Sequence, residues 1–409
     1  MGFFTLDSFN LEGKTVFVRV DMNSPIDEKT GKILATNKIE ASIPTMKELM
    51  AKKAKVVLTA HQGQPGEYDY VSLEQHAKIL SNLLGTEVLF LKGTDLKLIT
   101  EGIKKLRNGQ ILLLDNIRFF NGEVDEKAPE EHAKSEFVTA LKPLIDYFIN
   151  DAFPSAHRSH ISVVGFSTTV PMVAGRGMEK ELKSLEKIVK NPAKPVIFVL
   201  GGAKISDSVK LMEKILNKKL ADKIIVGGLL STLLLYAKGY PISDATLALL
   251  EKKKGLEATE KVKKILNNYT TSIELPVDVA IEENGKRKEV GSSSMSSGMA
   301  KDIGSKTIEN YIRVIKTAKT IITNGPMGVY EEKEFSLGTR KILEAITLTD
   351  CFSSISGGNT VAALDASGIS RDKVSYISLA GKAFLNYVSG DKLPAVEALE
   401  ISYRKFKSA

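Results

Sequence analysis

The sequence predicts an α/β protein built as two Rossmann-like, three-layer domains with parallel sheets, and three observations carry that prediction. Short apolar runs alternate with helix-period segments along nearly all of the 409-residue chain, the pattern of parallel strands covered by helices on both faces. The conspicuous polar residues come directly after the apolar runs, at the sheet edge where open parallel sheets bind ligands. A long helical pattern, with Met178, Leu182, Leu185, Ile188 and Val189 at helical spacing, separates a first such series from a second.

In the first series, runs 15–20, 55–60, 87–91, 111–114, 146–149 and 162–166 read as strands, with helical patterns over 43–53 and 72–84. The runs lead into Asp21, Asn23 and Pro25, into His61, into Asp115, Asn116 and Arg118, and into Asn150, Asp151, His157 and Arg158. Asp21, Asn23, His61, Arg118 and Arg158 are therefore expected to line one cleft for a small anion. Two arginines of a lysine-rich chain fall at that edge, and all five histidines lie between His61 and His160. The connector, 170–190, is expected to be one helix, with Gly175 and Gly177 as hinge positions and Asn191–Pro192 as its end.

The second series opens on 195–200, a buried-strand pattern that stops at Gly201, Gly202, Ala203 and Lys204. Val209, Met212, Leu216 and Leu220 then mark a helix, with Ser206 and Asp207 as N-cap candidates. The spacing fits neither a Walker A loop nor the dinucleotide fingerprint. Runs 223–226, 320–323, 351–355 and 374–378 also end at glycine-containing turns: Gly227–Gly228, 324–328, 356–360 and 379–382. Turns without side chains let backbone N–H groups approach a polyphosphate closely. An insertion, 277–290, reads as a hairpin around Asn284–Gly285, followed by the serine-rich loop 292–297. Charged side chains in one domain and glycine turns in the other suit phosphoryl transfer between two small anionic molecules.

The composition narrows the alternatives. Hydrophobic residues make up 43% and charged residues 26%, as in ordinary globular chains. The net charge of +8 comes from lysines interleaved with acids along helical patterns. Without a dense basic arm, no nucleic-acid partner is expected. The most apolar segment, 224–237, is too short to span a bilayer, so no membrane partner is expected. Cys351 is the single cysteine, which excludes an internal disulfide and a cysteine-based zinc site. With no secretory signal pattern, a cytoplasmic monomer or small homo-oligomer is expected.

Four stretches, in order along the chain, resemble the phosphoglycerate kinase family: 19–25 (RVDMNSP), 150–158 (NDAFPSAHR), 201–204 (GGAK) and 324–331 (NGPMGVYE). The resemblance runs from about 17 to 398, and 61–63, Asp207–Ser208 and 324–329 look most like the archaeal branch. It implies an N-terminal domain over 1–170 rejoined by a returning segment, 393–409, an interdomain helix over 171–190 and a nucleotide-binding domain over 191–392. It implies reversible transfer of a phosphoryl group between Mg-ATP and the carboxylate of 3-phosphoglycerate, giving ADP and 1,3-bisphosphoglycerate by domain closure and charge neutralisation. Matching positions carry over Asp21, Met22, Asn23, Lys38, His61, Gln62, Gly63, Gln64, Arg118 and Arg158 as phosphoglycerate ligands. Gly202, Gly227, Gly228, Val329 and Glu331 carry over to adenosine, with Glu331 on the ribose. Gly357, Gly358 and Thr360 fall at the nucleotide-phosphate turn, flanked by Gly201, Asn324, Pro326 and Gly328, and Lys204 at the transferred group.

Four positions depart from the family pattern. Lys38 stands where the resemblance places a catalytic arginine, and it cannot make a bidentate fork. Gln64 replaces a second arginine, and Asn359 replaces the metal-binding aspartate, leaving a weaker magnesium ligand. The turn 379–383 reads Leu-Ala-Gly-Lys-Ala where the family has a triple glycine, so Gly381 and Lys382 are expected to serve the catalytic turn with an added cation. These departures motivate two other readings: a related kinase for another small carboxylate, and a non-catalytic nucleotide- or anion-binding protein.

Overall fold

The computed structural model describes residues 2–190, 192–378 and 380–408. Asn191, expected at the end of the connector, and Leu379, expected in the altered turn, lie outside the described residues, as do Met1 and Ala409 at the outer ends of the domain ranges. The chain divides into two compact units, one running to Lys183 and resuming at Lys392, the other covering Ser184–Asp391.

Among the described residues the first unit holds seven strands: β1 (Phe4–Thr5), β2 (Thr15–Val20), β3 (Lys55–Thr59), β4 (Val88–Leu91), β5 (Ile111–Leu114), β6 (Tyr147–Asp151) and β7 (Met172–Ala174). They form one parallel sheet in the order β1-β7-β6-β2-β3-β5-β4. The two faces of β2 show why the sheet is covered on both sides. Val16, Val18 and Val20 enter an apolar cluster with Val56, Leu58 and Ile149. Phe17 points the other way, with ring centroids 5.9 Å from Phe137, 5.9 Å from Phe148 and 4.7 Å from Phe166. Each buried valine contributes about 1.5–3 kcal/mol. The final helix, Pro394–Phe406, packs on this unit, where Ser402 Oγ accepts from the Met172 N–H at 2.7 Å and Ala395 N–H donates to Ala156 O at 3.1 Å.

Two expectations fail at the end of this unit. Segment 162–166 is not a strand but part of a helical turn, Ile161–Val164, held by buried Glu123, which accepts from the Ser162 N–H (2.9 Å) and hydroxyl (2.6 Å). A short apolar run carries no periodicity that separates the two states. The connector is not one helix from 170 either. It opens with β7, which completes the sheet beside β6, and the helix runs Arg176–Val189. Arg176 ties its start to Asp7, Glu48 and Glu179 by ion pairs of 2.7 Å each.

Gly175 and Gly177 are close-packing positions rather than free hinges, because a Cβ at either would lie 2.5 or 2.9 Å from the Asp151 carboxyl group. Asp151 Oδ1 accepts from the Met178 N–H at 2.8 Å, satisfying an orphan donor of the helix. Burial raises the Asp151 pKa to about 6, against the opposing pull of Thr45 and the Met178 and Gly177 N–H groups. An acid whose pKa is higher in the folded state favours folding below its unfolded value, and that contribution is lost as pH rises through the folded value. Between about pH 4 and 6 the wild type is therefore expected to lose stability relative to Asp151→Asn. Urea midpoints that keep a constant difference across this window would refute the assignment.

Among its described residues the second unit holds β8 (Val196–Leu200), β9 (Lys223–Val226), β10 (Ile273–Glu274), β11 (Asp278–Glu283), β12 (Lys286–Gly291), β13 (Met299–Ile303), β14 (Thr320–Asn324), β15 (Phe352–Ser356) and β16 (Tyr376–Ser378). Six make a parallel sheet in the order β10-β9-β8-β14-β15-β16. Ile197, Val199, Ile225, Ile321 and Ile355 build its core, with Tyr311 donating across it to the Val226 carbonyl at 2.9 Å. The hairpin forms as expected between β11 and β12, with Asn284 and Gly285 both at positive φ, and β13 joins it as a third antiparallel strand.

Candidate functional site

In the first unit the strand ends build a cationic cluster. Asp21 follows β2 and accepts from the Asn23 N–H at 3.0 Å, while its other oxygen lies 3.5 Å from Lys38 Nζ. Asn23 Oδ1 accepts from the Gly63 N–H at 2.9 Å, linking the turns after β2 and β3. Arg118, on the 3-10 turn Ile117–Phe119 after β5, donates through Nη1 to the Gly63 carbonyl and leaves Nε without a partner. Burial, joined by Arg158 and Arg19, lowers its pKa to about 10, so the guanidinium stays charged at neutral pH. Arg158 is half-buried and makes no ion pair among the described residues. His61 is buried, and desolvation with Arg19, Arg118, Arg158 and Lys38 around it holds its pKa well below 6.5. The ring is neutral at physiological pH, which agrees with a hydrogen-bonding ligand role, and the lowered pKa makes it a weak proton acceptor.

Two of the residues expected here are buried inside the turns. Met22 is wholly buried in the apolar cluster. Gln62 is wholly buried too, with both ends of its amide on the Ser24 backbone (2.9 and 3.0 Å) and His76 Nε2 at 3.2 Å. They shape the turns from inside, one by apolar packing and the other by bonding the Ser24 backbone. Gln64 is exposed on the outer loop and makes no side-chain hydrogen bond among the described residues. Two residues that sequence reasoning passed over belong to the cluster: Arg19 and Glu123, both buried. Arg19 had a signal, a charge inside an otherwise apolar strand; Glu123, in an irregular segment, had none. Burial raises the Glu123 pKa to about 7, with Arg19 and Ser162 opposing it.

In the second unit the ends of β8, β14, β15 and β16 surround a cavity of about 480 Å³ whose lining includes Gly202, Lys204, Gly325, Asn359, Gly381 and Lys382. A second cavity of about 230 Å³, lined by Gly228, Met299, Met327, Val329 and Glu331 among others, shares Gly202, Ala203, Pro326 and Asn359 with the first. The two form one continuous groove, polar at one end and more apolar at the other.

Several strand-end glycines have their backbone donors already engaged within the protein. Gly201, Gly202, Gly227 and Gly228 donate their N–H groups within the protein, to Asn324 O, Pro326 O, Leu200 O and Met327 O at 2.7–2.9 Å. Gly325 donates to Thr360 Oγ1 at 2.7 Å, so Thr360 is a buried bridge between turns. These donors are not free for a phosphate. The missing side chains instead let three turns interlock, since a Cβ on Gly201 would lie 2.2 Å from Pro326 O and one on Gly325 would lie 2.2 Å from Gly201 O. Gly358 is different: nothing lies within 4 Å of its Cβ position, and the N–H groups of Gly358 and Asn359 open the helix Gly358–Ala366 without partners among the described residues. The helix Ile205–Asn217 likewise leaves its first N–H groups free, and its N-cap is Lys204, not Ser206 or Asp207. Lys204 and Lys382 are exposed, and neither makes an ion pair among the described residues. No group of three His, Cys, Asp or Glu among the described residues could hold a metal ion by itself. Asn359 and the carboxylate Asp207 line the same cavity.

Comparison with known proteins places this geometry in a family. Residues 6–391 match the sequence model described as Phosphoglycerate kinase. The phosphoglycerate kinase of Methanothermus fervidus is 42% identical over 398 residues, 97% of each chain, and that of Pyrococcus abyssi is 41% identical over 409 residues, 99% of each chain. The crystal structure of phosphoglycerate kinase from Pyrococcus horikoshii superposes with a TM-score of 0.90 at 38% identity, covering 98% of this chain and 100% of that one. That from Coxiella burnetii gives 0.81 at 31% identity, over 98% and 99%. With full-length matches in sequence and in structure, this chain belongs to the phosphoglycerate kinase family.

Proposed function

We propose that this chain catalyses reversible phosphoryl transfer between ATP and the carboxylate of 3-phosphoglycerate, giving ADP and 1,3-bisphosphoglycerate. It is an ATP-dependent phosphotransferase by family. The observation that carries the residue assignment is the distribution of unpaired donors: Arg158 and His61 Nε2 in the first unit, Lys204 and two free helix N-termini in the second. The first unit takes 3-phosphoglycerate, through Asn23, Lys38, His61, Arg118 and Arg158. The second takes the nucleotide, with adenosine in the smaller cavity beside Val329 and Glu331 and the phosphates in the larger one at Gly357, Gly358 and Asn359.

A carboxylate acceptor is already ionised at neutral pH, so no general base is required. Catalysis then consists of excluding water, aligning the carboxylate with the γ-phosphorus and neutralising the charge on the transferring group. Lys204 supplies a full positive charge at the start of a thirteen-residue helix. Mg2+ bound with the nucleotide would supply further charge neutralisation. Asn359 would reach it with an amide oxygen and Asp207 with a carboxylate, a donor set that fits a cation held mainly by phosphate oxygens. Lys38 acts as a single ammonium near the acceptor carboxylate, partly offset by Asp21 at 3.5 Å. The reading includes a cytoplasmic monomer or small homo-oligomer; no helix among the described residues is long and apolar enough to cross a membrane.

A steady-state assay with Mg-ATP and 3-phosphoglycerate, coupled to glyceraldehyde-phosphate dehydrogenase and NADH, tests the activity directly. Saturable turnover of roughly 1–100 per second is expected. Nucleotide binding without turnover would sink the reading, as would better use of a different small acid. Within it, Lys382 compensates the altered 379–383 turn by placing a cation in the phosphate cavity. Lys382→Ala is expected to lower kcat about tenfold, the effect of roughly 1.4 kcal/mol on the barrier. Undiminished turnover would remove Lys382 from the mechanism.

A further inference from the structure

Arg19 is an arginine buried within a parallel strand, and that placement is costly. It lies on β2 opposite Thr59 of β3, and the chain leaving Thr59 brings His61 beside it two residues later. The side chain is 1% exposed and makes no ion pair among the described residues. Nη1 donates to the Val20 carbonyl at 2.8 Å, Nη2 lies 2.9 Å from His61 Nδ1, and Nε has no partner. Glu123 and Asp21 attract it from a distance, but a buried guanidinium with an unsatisfied donor and no carboxylate in direct contact is destabilising, and a well-packed apolar side chain would be the more stable choice. Stability alone therefore does not account for it.

The contact with His61 does. A guanidinium has only donors, so the 2.9 Å contact requires Nδ1 to present its lone pair. The proton of the neutral ring then sits on Nε2. Nε2 hydrogen-bonds no described group, so its N–H is what the ring offers to a ligand. The opposite tautomer would turn a lone pair toward an anionic oxygen and repel it. The charged groups acting on this ring are Arg19 on β2, Lys38, Arg118 after β5 and Arg158 after β6, while the acids Asp21 and Glu123 act on Arg19 and Arg118. The cations outnumber the acids, and all of them oppose a charged ring.

We infer that Arg19 is a positioning residue that locks His61 as the neutral Nε2–H tautomer, so that the ring donates one hydrogen bond to an oxygen of the acceptor substrate. This rests on the reading that 3-phosphoglycerate occupies the first unit. It also assigns His61 a role as donor only, never as base or cation.

The test is ring-nitrogen NMR on protein labelled with 15N-histidine, with His61 assigned by the signals lost in His61→Gln. In the wild type without substrate, Nδ1 is expected to resonate as an unprotonated nitrogen and Nε2 as a protonated one, unchanged from about pH 5.5 to 8. Arg19→Met is expected to give mixed tautomers, and to raise KM for 3-phosphoglycerate about tenfold with a smaller change in kcat, the scale of one charge-assisted hydrogen bond. Arg19→Lys, which restores a donor and a charge, is expected to recover the wild-type spectrum. A wild-type ring protonated on Nδ1, a charged ring at pH 7, or an Arg19→Met ring of unchanged tautomer would each overturn the inference. If Arg19→Met does not fold, the wild-type spectrum and Arg19→Lys still decide. The tautomer is read without substrate, whereas the substrate reading is checked separately: adding 3-phosphoglycerate is expected to shift the Nε2 proton. A correct tautomer with no such shift would count against the substrate and leave Arg19's role standing.

Discussion

Lys204→Ala is expected to lower kcat by about 10²–10³-fold, the usual cost of removing one preorganised charge or donor from a transferring group. The thermal midpoint is expected to stay within about a degree of the wild type, because exposed side chains without partners contribute little to stability. Lys204 is such a side chain: it stands at the N-cap position of the helix Ile205–Asn217 without a side-chain capping bond, lines the cavity and pairs with no acid among the described residues. The charge is thus held ready, not engaged in the fold, and its loss is felt only as charge develops on the transferring group. KM for ATP is expected to change less than kcat, since a contact made mainly in the transition state leaves ground-state binding nearly intact. Steady-state kinetics beside a melting curve checks both halves. A kcat within about threefold of the wild type would place the neutralising charge elsewhere.

The second large effect is structural and then functional. Gly325→Ala is expected to cost about 3–5 kcal/mol, in the range of the most damaging single substitutions, and to abolish nucleotide binding. Gly325 sits at φ +90°, and its Cβ would lie 2.2 Å from Gly201 O and 2.3 Å from Gly201 C. The obstacle is backbone on the facing turn, so no rotamer change can relieve it. Separating the two turns breaks the Gly201 N–H bond to Asn324 O and the Gly202 N–H bond to Pro326 O, both of which shape the groove. Gly358→Ala makes the contrast, because its Cβ meets nothing within 4 Å. That variant is expected to keep its melting temperature and to raise KM for ATP, since the new methyl group stands where phosphate would approach a free N–H. If both variants melt together, the division between interlocking and ligand-facing glycines is wrong.

That division is also where the sequence proved misleading in detail while correct in outline. The strand-end glycines and their clustering at one sheet edge were legible, because a buried apolar run that stops at glycine marks the end of a parallel strand and the turn after it. What each glycine does was not, since close approach to a ligand and close approach to another turn leave the same residue in the sequence. The error over 162–166 has a similar source. Five residues carry no usable period, and the partner that settles the helical turn, Glu123, lies 39 residues from Ser162.

The sequence by itself determined the class of fold, the two strand–helix series, the hairpin at Asn284–Gly285 and the family, because periodicity and motif spacing are local properties carried along the chain. It also marked Lys38, Gln64, Asn359 and Lys382 as departures, because substitution within a motif needs no coordinates. Only the tertiary structure decided that Met22 and Gln62 turn inward, that Asp151 caps the connecting helix and packs against Gly175 and Gly177, and that Arg19 and Glu123 stand buried behind the cationic cluster. Each of these depends on which residues distant in the chain are brought within hydrogen-bonding reach, and on how much water is removed from around a charge. Those quantities are set by packing, and no local pattern encodes them.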